Sequence, residues 1–399
     1  MTSSPPSPEP AAVHTAVLLL ALAGFFSGCA LRICDGLIPR IASDFLVTPG
    51  TAGRVVLTFS VAYGLSQLLF GPLGDRFGKA RMVCVAVFGC AAGSVLCTFA
   101  QGFDQLAGLR AVWGIAAAGV IPLSLAWVGD AVPYEERQAT LARLLLGVLS
   151  GMTAGQVAGG LFADSPLGWR GAFGFLAAGY LVVGVLLLTR LRRIPSAPSV
   201  HRAGWFGFLH QLAAVLAIPW ARVVLATVMA EGIFLLGPLA FLPSYLHHHY
   251  GVRLSTAAAL ISLYAIGGVV YSLMAHRLVR SLGERRMVAA GGVLMGAGFV
   301  AWFVSPQAWL AAPIALAVGF GTYLYHNTLQ TNATQMAPAA RGSALACFAF
   351  CLFIGQAIGV SLAGFAFDHG GPAPLLLVPA VVLPLTGWYF SAALKHRPH

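Results

Sequence analysis

The sequence predicts an all-α integral membrane protein with twelve transmembrane helices arranged in two pseudo-symmetric six-helix bundles. Of its 399 residues, 58% are hydrophobic and 9% are charged, whereas soluble domains carry ~25% charged residues. The apolar residues form twelve runs, each of the length that a helix needs to cross a bilayer. The runs fall into two groups of six, and with their turns and tails they fit the length without a separate soluble domain.

The twelve predicted helices are separated by one convincing linker. Helices 1 to 6 are predicted at residues 13–38, 51–73, 82–100, 104–129, 139–163 and 170–189, and helices 7 to 12 at 219–245, 255–279, 286–304, 308–334, 342–366 and 371–394. Prolines and basic residues interrupt the apolar pattern at 190–204, and residues 205–217 have the composition of a helix lying along the membrane interface. We therefore expect an N-terminal bundle at 1–189, a cytoplasmic linker at 190–217 and a C-terminal bundle at 218–399.

The distribution of lysine and arginine predicts the orientation of the chain. Of the 23 basic residues, seventeen lie in the connections and tail on the side of the two termini, and four lie on the other side. Short basic connections resist translocation, so both termini are expected in the cytoplasm of a bacterial-type inner membrane. The formal charge of +11 is thereby explained without a nucleic-acid partner. The N-terminal segment lacks the basic residues of a signal peptide, so helix 1 is expected to remain.

The two groups of helices also share sequence patterns at nearly constant offsets. Pro39 and Pro243 are 204 residues apart, and GQVAGG from Gly155 matches GQAIGV from Gly355 at an offset of 200. GPLGDRFGKARMV from residue 71 matches HRLVRSLGERRMV from residue 276 at an offset of 205. Coincidence among glycine- and leucine-rich helices is the alternative. Three similar offsets instead indicate an internal repeat, and transporters commonly place their sites between such repeats.

The segment after helix 2 carries a recognisable motif. Its residues follow the order Gly, x, Leu, x, Asp, Arg, x, Gly, basic, at Gly71, Leu73, Asp75, Arg76, Gly78 and Lys79. With twelve spans in two halves, the chain resembles the major facilitator superfamily over nearly its whole length. The resemblance implies that a contact of Asp75 latches the inner gate. A phosphate-binding loop is excluded because the glycine spacing is wrong and no Ser or Thr follows Lys79.

Two further motifs are similar to those of drug:proton antiporters with twelve helices. In helix 4, Arg110 and Gly114 fit a family pattern in which Trp113 replaces a glutamine. Helix 5 carries an antiporter-like motif in which a glutamine replaces the family's proline, at Gly151, Gly155, Gln156, Gly159 and Gly160. Small residues at this spacing also let helices pack closely in lipid. The glycines alone are therefore explained by packing as well as by antiport.

Glu231 is the most informative charge in the sequence. It lies about twelve residues into predicted helix 7, or ~18 Å deep at the helical rise per residue. An ionised carboxylate at that depth is costly unless it is paired or faces water, so such a group can take up and release protons. The alternative is a structural partner for an arginine on another helix.

Arg32, Asp35 and Arg110 complete the predicted proton-coupling group. Arg32 and Asp35 are one helical turn apart and can share a face of helix 1. They lie either at the outer interface or, if Pro39 bends a long helix 1, against the central cavity. We expect Arg32 and Asp35 to lie against the central cavity. Arg110 lies about 10 Å into helix 4 and keeps its charge, so it is expected to tune a carboxylate rather than to carry protons.

Two polar stripes are the candidate substrate-binding residues. Thr322, His326 and Gln330 recur every four residues on helix 10, and Tyr63 and Gln67 form a shorter stripe on helix 2. Polar groups at this spacing lie on one helix face, which favours the wall of a pocket. The alternative is a set of core groups that hydrogen-bond to one another.

These features predict a secondary transporter that exports small amphipathic molecules in exchange for protons, by alternating access of the two halves. The alternative is a proton-coupled importer or uniporter of a small solute on the same fold. No cofactor motif or nucleophile motif is present, so we expect neither an enzyme nor a cofactor. No metal site is expected, and histidines 247 to 249 are interpreted as a solvated turn. The expected partners are the substrate, protons and membrane lipid, with the chain acting as a monomer.

Overall fold

Helices form nearly all of the computed structural model, which describes residues 10–190 and 205–397. Helices 1 to 6 span Pro10–Arg32, Arg54–Phe77, Lys79–Thr98, Phe103–Ala131, Tyr134–Ala163 and Gly168–Arg190. Helix 4 is interrupted at residues 118 and 119. Each of these helices is long and apolar enough to cross a membrane, as the sequence predicts.

The second half repeats this arrangement. Helix 7 spans Pro219–Tyr250, helices 8 and 9 together span Leu254–Val304, and helices 10, 11 and 12 span Ala311–Gln335, Arg341–Phe365 and Pro372–Ala393. Of the predicted linker, residues 191–204 lie outside the described residues. Residues Trp205–Ala217 form a separate helix, held to helix 11 where the Ser343 hydroxyl donates to Gln211 Oε1 at 2.9 Å. The predicted fold class, twelve transmembrane helices in two pseudo-symmetric bundles, is confirmed.

Two glycines mark equivalent turns in the two halves. Gly78 between helices 2 and 3 has φ +90°, and Gly283 between helices 8 and 9 has φ +67°. Backbone with positive φ is readily adopted only by glycine, so each residue allows a sharp reversal without an added loop. The two positions are 205 residues apart, which matches the repeat offset found in this part of the sequence.

Helix 1 ends earlier than predicted. The helix stops at Arg32, residues 33–37 form turns, and a short helix Ile38–Phe45 follows with Pro39 in its first turn. Proline is tolerated there because the first N–H groups of a helix have no intrahelical partner. The expectation that Pro39 bends one long helix was therefore wrong. Its counterpart, Pro243, does lie inside a helical segment, Gly237–Tyr250.

Glycines bring helix 5 against helix 1 and helix 11 against helix 7. A Cβ atom at Gly155 would lie 2.5 Å from the Cα of Cys29 on helix 1. A Cβ at Gly355 would collide with the backbone of Met229 on helix 7. Such distances are too short for real carbon atoms, so these backbones meet directly. The repeat at an offset of 200 therefore encodes the same helix pair in each half.

The two ends of the bundle are named here by the chain termini. The terminal face is the end at which helix 1 begins and helix 12 ends, and the opposite face is the end at which helix 1 ends and helix 12 begins. The two halves meet where helix 2 packs on helix 11 and helix 5 packs on helix 8. The candidate site lies along this junction.

Candidate functional site

Glu231 and His326 form a buried pair between helices 7 and 10. The Nδ1 atom of His326 lies 3.0 Å from both carboxylate oxygens of Glu231. The Glu231 side chain is 2% exposed and that of His326 is 21% exposed. The imidazole ring also lies 5.5 Å from the ring of Phe348 on helix 11. A proton shared by a buried carboxylate and an imidazole can move between them with little displacement of either group.

The helix that carries Glu231 changes its winding at that residue. The α-helical segment Pro219–Glu231 is followed by a π-helical turn, Gly232–Leu236, and by the segment Gly237–Tyr250. Gly232 packs against helix 11, where an added Cβ would lie 2.7 Å from the Gln356 nitrogen. Single π turns inside α-helices frequently mark functional positions. Here the π turn begins directly after Glu231.

Arg32 and Asp35 form a second buried pair at the end of helix 1. Arg32 Nη1 donates to Asp35 Oδ2 at 3.1 Å, and the two side chains are 7% and 0% exposed. Asp35 Oδ1 is buried and lacks a hydrogen-bond partner among the described residues. The pair is thus enclosed by protein rather than exposed at an interface. Buried polar atoms are nearly always hydrogen-bonded, so this oxygen marks the pair as a candidate functional position.

Arg110 links three helices of the first half. Its Nε donates to the Val55 carbonyl at 3.2 Å and its Nη2 donates to the Ala30 carbonyl at 3.4 Å. The guanidinium carbon lies 4.1 Å from the centre of the Phe59 ring. Arg110 is buried, and its guanidinium is held by the backbone carbonyls of helices 1 and 2. The predicted tuning of a carboxylate by Arg110 stays a prediction.

The Arg32–Asp35 pair of the first half contacts the second half. The guanidinium of Arg32 lies 5.9 Å from the ring centre of Tyr264 on helix 8. Helix 8 belongs to the second half, so this cation–aromatic contact crosses the junction between the halves.

The predicted substrate-binding residues occupy different environments. Tyr63 is buried, with its ring centre 4.3 Å from that of Phe353 on helix 11, and Gln67 is buried one turn further along helix 2. Thr322 is buried and donates to the Val318 carbonyl at 2.8 Å. Gln330 is exposed, two turns beyond Thr322 toward the terminal face. The helix 10 stripe therefore runs from a buried residue, through the buried pair, to an exposed residue nearer the terminal face.

The gate motif lies at the terminal face. Lys79 forms an ion pair with Asp130 of helix 4 and lies 3.8 Å from Asp75. The guanidinium of Arg76 stacks 5.2 Å from the ring centre of Phe77. Gly71 has no atom within 4 Å of an added Cβ. In this structure the motif joins helices 2, 3 and 4, and the predicted latch role of Asp75 stays a prediction.

The antiporter-like motif packs along helix 1. Gly151, like Gly155, faces the helix 1 backbone, Gly159 faces the backbone of Ile33 directly after helix 1, and Gly160 faces the start of helix 8. Gln156, which replaces the family's proline, is buried, and its Nε2 lacks a hydrogen-bond partner among the described residues. The motif thus contacts both a neighbour in its own half and the other half.

The sequence identified Glu231 and His326 separately but did not pair them. Glu231 was assigned to proton coupling and His326 to substrate binding, because helical periodicity describes one helix at a time. Histidine and acidic residues are both rare inside transmembrane helices, and such residues commonly pair with one another. A search for pairs among these rare residues would have suggested Glu231 as a partner for His326.

We expect Asp35→Asn to destabilise the protein by about 3–5 kcal/mol, because it leaves the buried Arg32 charge unpaired. The double variant Arg32→Gln with Asp35→Asn removes both charges and is expected to recover most of that loss. Thermal unfolding in detergent compares the two variants. If Asp35→Asn melted at the temperature of the unmodified protein, the pair would contribute nothing to folding.

Comparison with known proteins identifies bacterial transporters as relatives. A probable transporter of Streptomyces coelicolor is 28% identical over 98% of this chain and 90% of its own length. An MFS-type efflux pump of Mycolicibacterium smegmatis is 27% identical over 97% and 94% of the two chains. Multidrug resistance protein 2 of Bacillus subtilis is 24% identical over 87% and 88%.

Solved transporter structures share the fold. The nucleoside transporter NupG superposes with a TM-score of 0.79 at 14% identity, over 94% of this chain and 99% of that chain. A D-xylose-proton symporter superposes with a TM-score of 0.75 at 13% identity, over 95% and 96%. The sequence model of the Major Facilitator Superfamily matches residues 20–360. The chain therefore belongs to the Major Facilitator Superfamily and is a multi-pass membrane transporter rather than an enzyme.

Proposed function

We propose that this transporter exports small amphipathic molecules in exchange for protons, with Glu231 as the principal proton carrier. The observation that carries the proposal is the Glu231–His326 pair, a buried carboxylate held by a histidine at a π turn midway along helix 7. A transporter without a nucleotide-binding motif draws its energy from an ion gradient, and a group that binds and releases protons within the membrane can couple to it. Asp35 is the second proposed carrier.

Arg32 and Arg110 have supporting roles in this proposal. Arg32 pairs with Asp35, and Arg110 is buried in the same half. We propose that these two guanidinium groups tune the Asp35 carboxylate. The candidate substrate contacts are Tyr63, Gln67 and Thr322, with His326 serving both substrate and proton. Protonation of the two acids and binding of substrate then compete for one space, which is the requirement for exchange.

The proposed orientation places the terminal face in the cytoplasm of the bacterial inner membrane, with both termini and the 190–217 linker on that side. The excess of lysine and arginine in the connections at that face supports this orientation. One chain with a complete pair of halves is sufficient for the cycle, so we propose that the monomer surrounded by lipid is the active form.

An importer or uniporter on the same fold is the alternative function. The named relatives include an efflux pump, whereas a solved structure of similar fold is a proton symporter for D-xylose. In addition, Gln156 replaces the proline of the antiporter motif. Each function makes a different prediction for the movement of protons.

Everted membrane vesicles test the proposed function. A panel of toxic compounds is first screened for resistance in an efflux-deficient host that expresses this chain. Addition of a compound so found to vesicles with an acidic interior is expected to raise the interior pH, because each molecule that enters releases protons. A uniporter would leave the pH gradient intact. A symporter would instead accumulate substrate when the external medium is the acidic side.

A further inference from the structure

Asp164 connects the first half of the molecule to the second. It directly follows helix 5, and its carboxylate contacts the first turn of helix 8. The Leu254 N–H donates to Asp164 Oδ1 at 3.3 Å, and the Ser255 N–H donates to Oδ2 at 2.8 Å. The Ser255 hydroxyl also donates to Oδ2. The first N–H groups of a helix have no partner within the helix, so the carboxylate satisfies them and meets the positive end of the helix dipole.

Asp368 makes the reciprocal connection from the second half to the first. It lies in the turn Ala366–Gly370 that follows helix 11. The Gly50 N–H donates to Asp368 Oδ1 at 2.9 Å, and the Thr48 hydroxyl donates to Oδ2 at 2.5 Å. Both donors belong to the turn that leads into helix 2. Both aspartates lie at the opposite face, where helices 5 and 11 end.

The two connections are copies of one contact. Asp164 and Asp368 are 204 residues apart, and their backbone donors Gly50 and Leu254 are also 204 residues apart. The same contact is therefore made twice, once in each direction across the junction. A single capping interaction would be unremarkable, but its repetition with acceptor and donor exchanged between the halves indicates a feature of the junction itself.

A glycine one turn before each aspartate allows the close approach. A Cβ at Gly160 would lie 2.7 Å from the Leu254 carbonyl oxygen, and a Cβ at Gly364 would lie 3.0 Å from the Gly50 Cα. These two glycines are again 204 residues apart. Backbone from one half therefore reaches the partner half at both copies of the contact.

We propose that Asp164 and Asp368 are positioning residues of the transport cycle, a latch pair that holds the opposite face closed and releases when that face opens. Together they accept five hydrogen bonds from the other half. Hydrogen bonds to a charged acceptor are roughly twice as strong as neutral ones. The pair therefore shifts the equilibrium away from the form that is open at the opposite face and toward the form that is open at the terminal face. This inference rests on the alternating access of the proposed function.

The test measures the distance between the halves at the opposite face. Nitroxide labels are attached to cysteines introduced at Leu167 and Trp309, which lie in different halves at this face and are 66% and 67% exposed. The seven native cysteines are buried. In nanodiscs, Asp164→Asn and Asp368→Asn are each expected to raise the ratio of long to short distances about fivefold, and the double variant about 25-fold.

Asp104→Asn is the matched control. Asp104 also lies at the opposite face, and its ion pair with Arg54 joins helices 4 and 2 of the same half. Its replacement is expected to leave the distance distribution unchanged. A double variant Asp164→Asn with Asp368→Asn whose distances equal those of the unmodified protein would overturn the latch.

A second variant removes the donors and keeps both carboxylates. Thr48→Val with Ser255→Ala deletes the two hydroxyl donors, and it is expected to shift the distances in the same direction if the aspartate variants do not fold. No shift in this variant would also overturn the latch. The distances are recorded without substrate or a proton gradient. A failure of proton exchange in vesicles would therefore contradict the proposed function without deciding whether the latch exists.

Discussion

Glu231→Gln is expected to abolish gradient-driven export while substrate binding is largely retained. Glutamine keeps the size of the side chain and can still hydrogen-bond to His326, but it cannot take up and release a proton. Movement of one charge through 100 mV supplies ~2.3 kcal/mol, which sustains a concentration ratio of about 50-fold. Proteoliposomes with an imposed gradient measure that ratio, and equilibrium binding of the same compound in detergent provides the second measurement.

Two control variants make the result specific. Glu135→Gln removes an exposed carboxylate in the first turn of helix 5, and transport is expected to continue. His326→Gln keeps a polar partner for Glu231 but removes the imidazole, and an intermediate loss of the concentration ratio is expected. If active export continues unaltered in Glu231→Gln, the carboxylate has only a structural role and the proposed coupling is wrong.

The number and grouping of the helices could be predicted from the sequence because lipid imposes a simple length rule on apolar segments. The end of helix 1 could not. Ile33, Leu37 and Ile38 continue the apolar pattern beyond Arg32, and all three are buried, so hydrophobicity does not distinguish a turn inside the protein from a further helical turn. Pro39 gave the only signal, and proline fits the first turn of a new helix as well as a bend.

The individual intramembrane charges could be predicted, whereas their contacts could not. Burying Glu231 in an apolar run is costly, and that cost is visible in one helix alone. The identity of its partner depends on how helix 7 faces helix 10. The sequence pattern of each helix does not indicate which other helix it packs against. The π turn after Glu231 could not be predicted from the sequence either, because Gly232 differs from other glycines only through its contact with helix 11.

Asp164 and Asp368 were missed for a different reason. Acidic residues at helix ends are common and are usually solvated, so neither position stood out alone. Their separation of 204 residues equals that of Pro39 and Pro243, so the internal repeat already contained the signal. A comparison of charged residues at the repeat offset, rather than of motifs alone, would have identified them.

Gly155→Leu is expected to destabilise the protein strongly, because the added side chain has no space between helices 5 and 1. The Cβ alone would lie 2.5 Å from both the Cα and the carbonyl oxygen of Cys29. Backbone cannot move aside as a flexible side chain can, so the cost lies at the upper end of the 1–3 kcal/mol typical of overpacking. We expect the melting temperature in detergent to fall by about 4 °C.

The chain offers both a matched control and a symmetric copy for this substitution. Gly108 on helix 4 is exposed, with no atom within 4 Å of an added Cβ. Gly108→Leu is therefore expected to melt within about 1 °C of the unmodified protein. Gly355→Leu, which places the same side chain between helices 11 and 7, is expected to lower the melting temperature as much as Gly155→Leu. If Gly155→Leu melted like Gly108→Leu, direct backbone contact could not be the reason for the glycines of helix 5, and their similarity to the antiporter motif would require a role in transport instead.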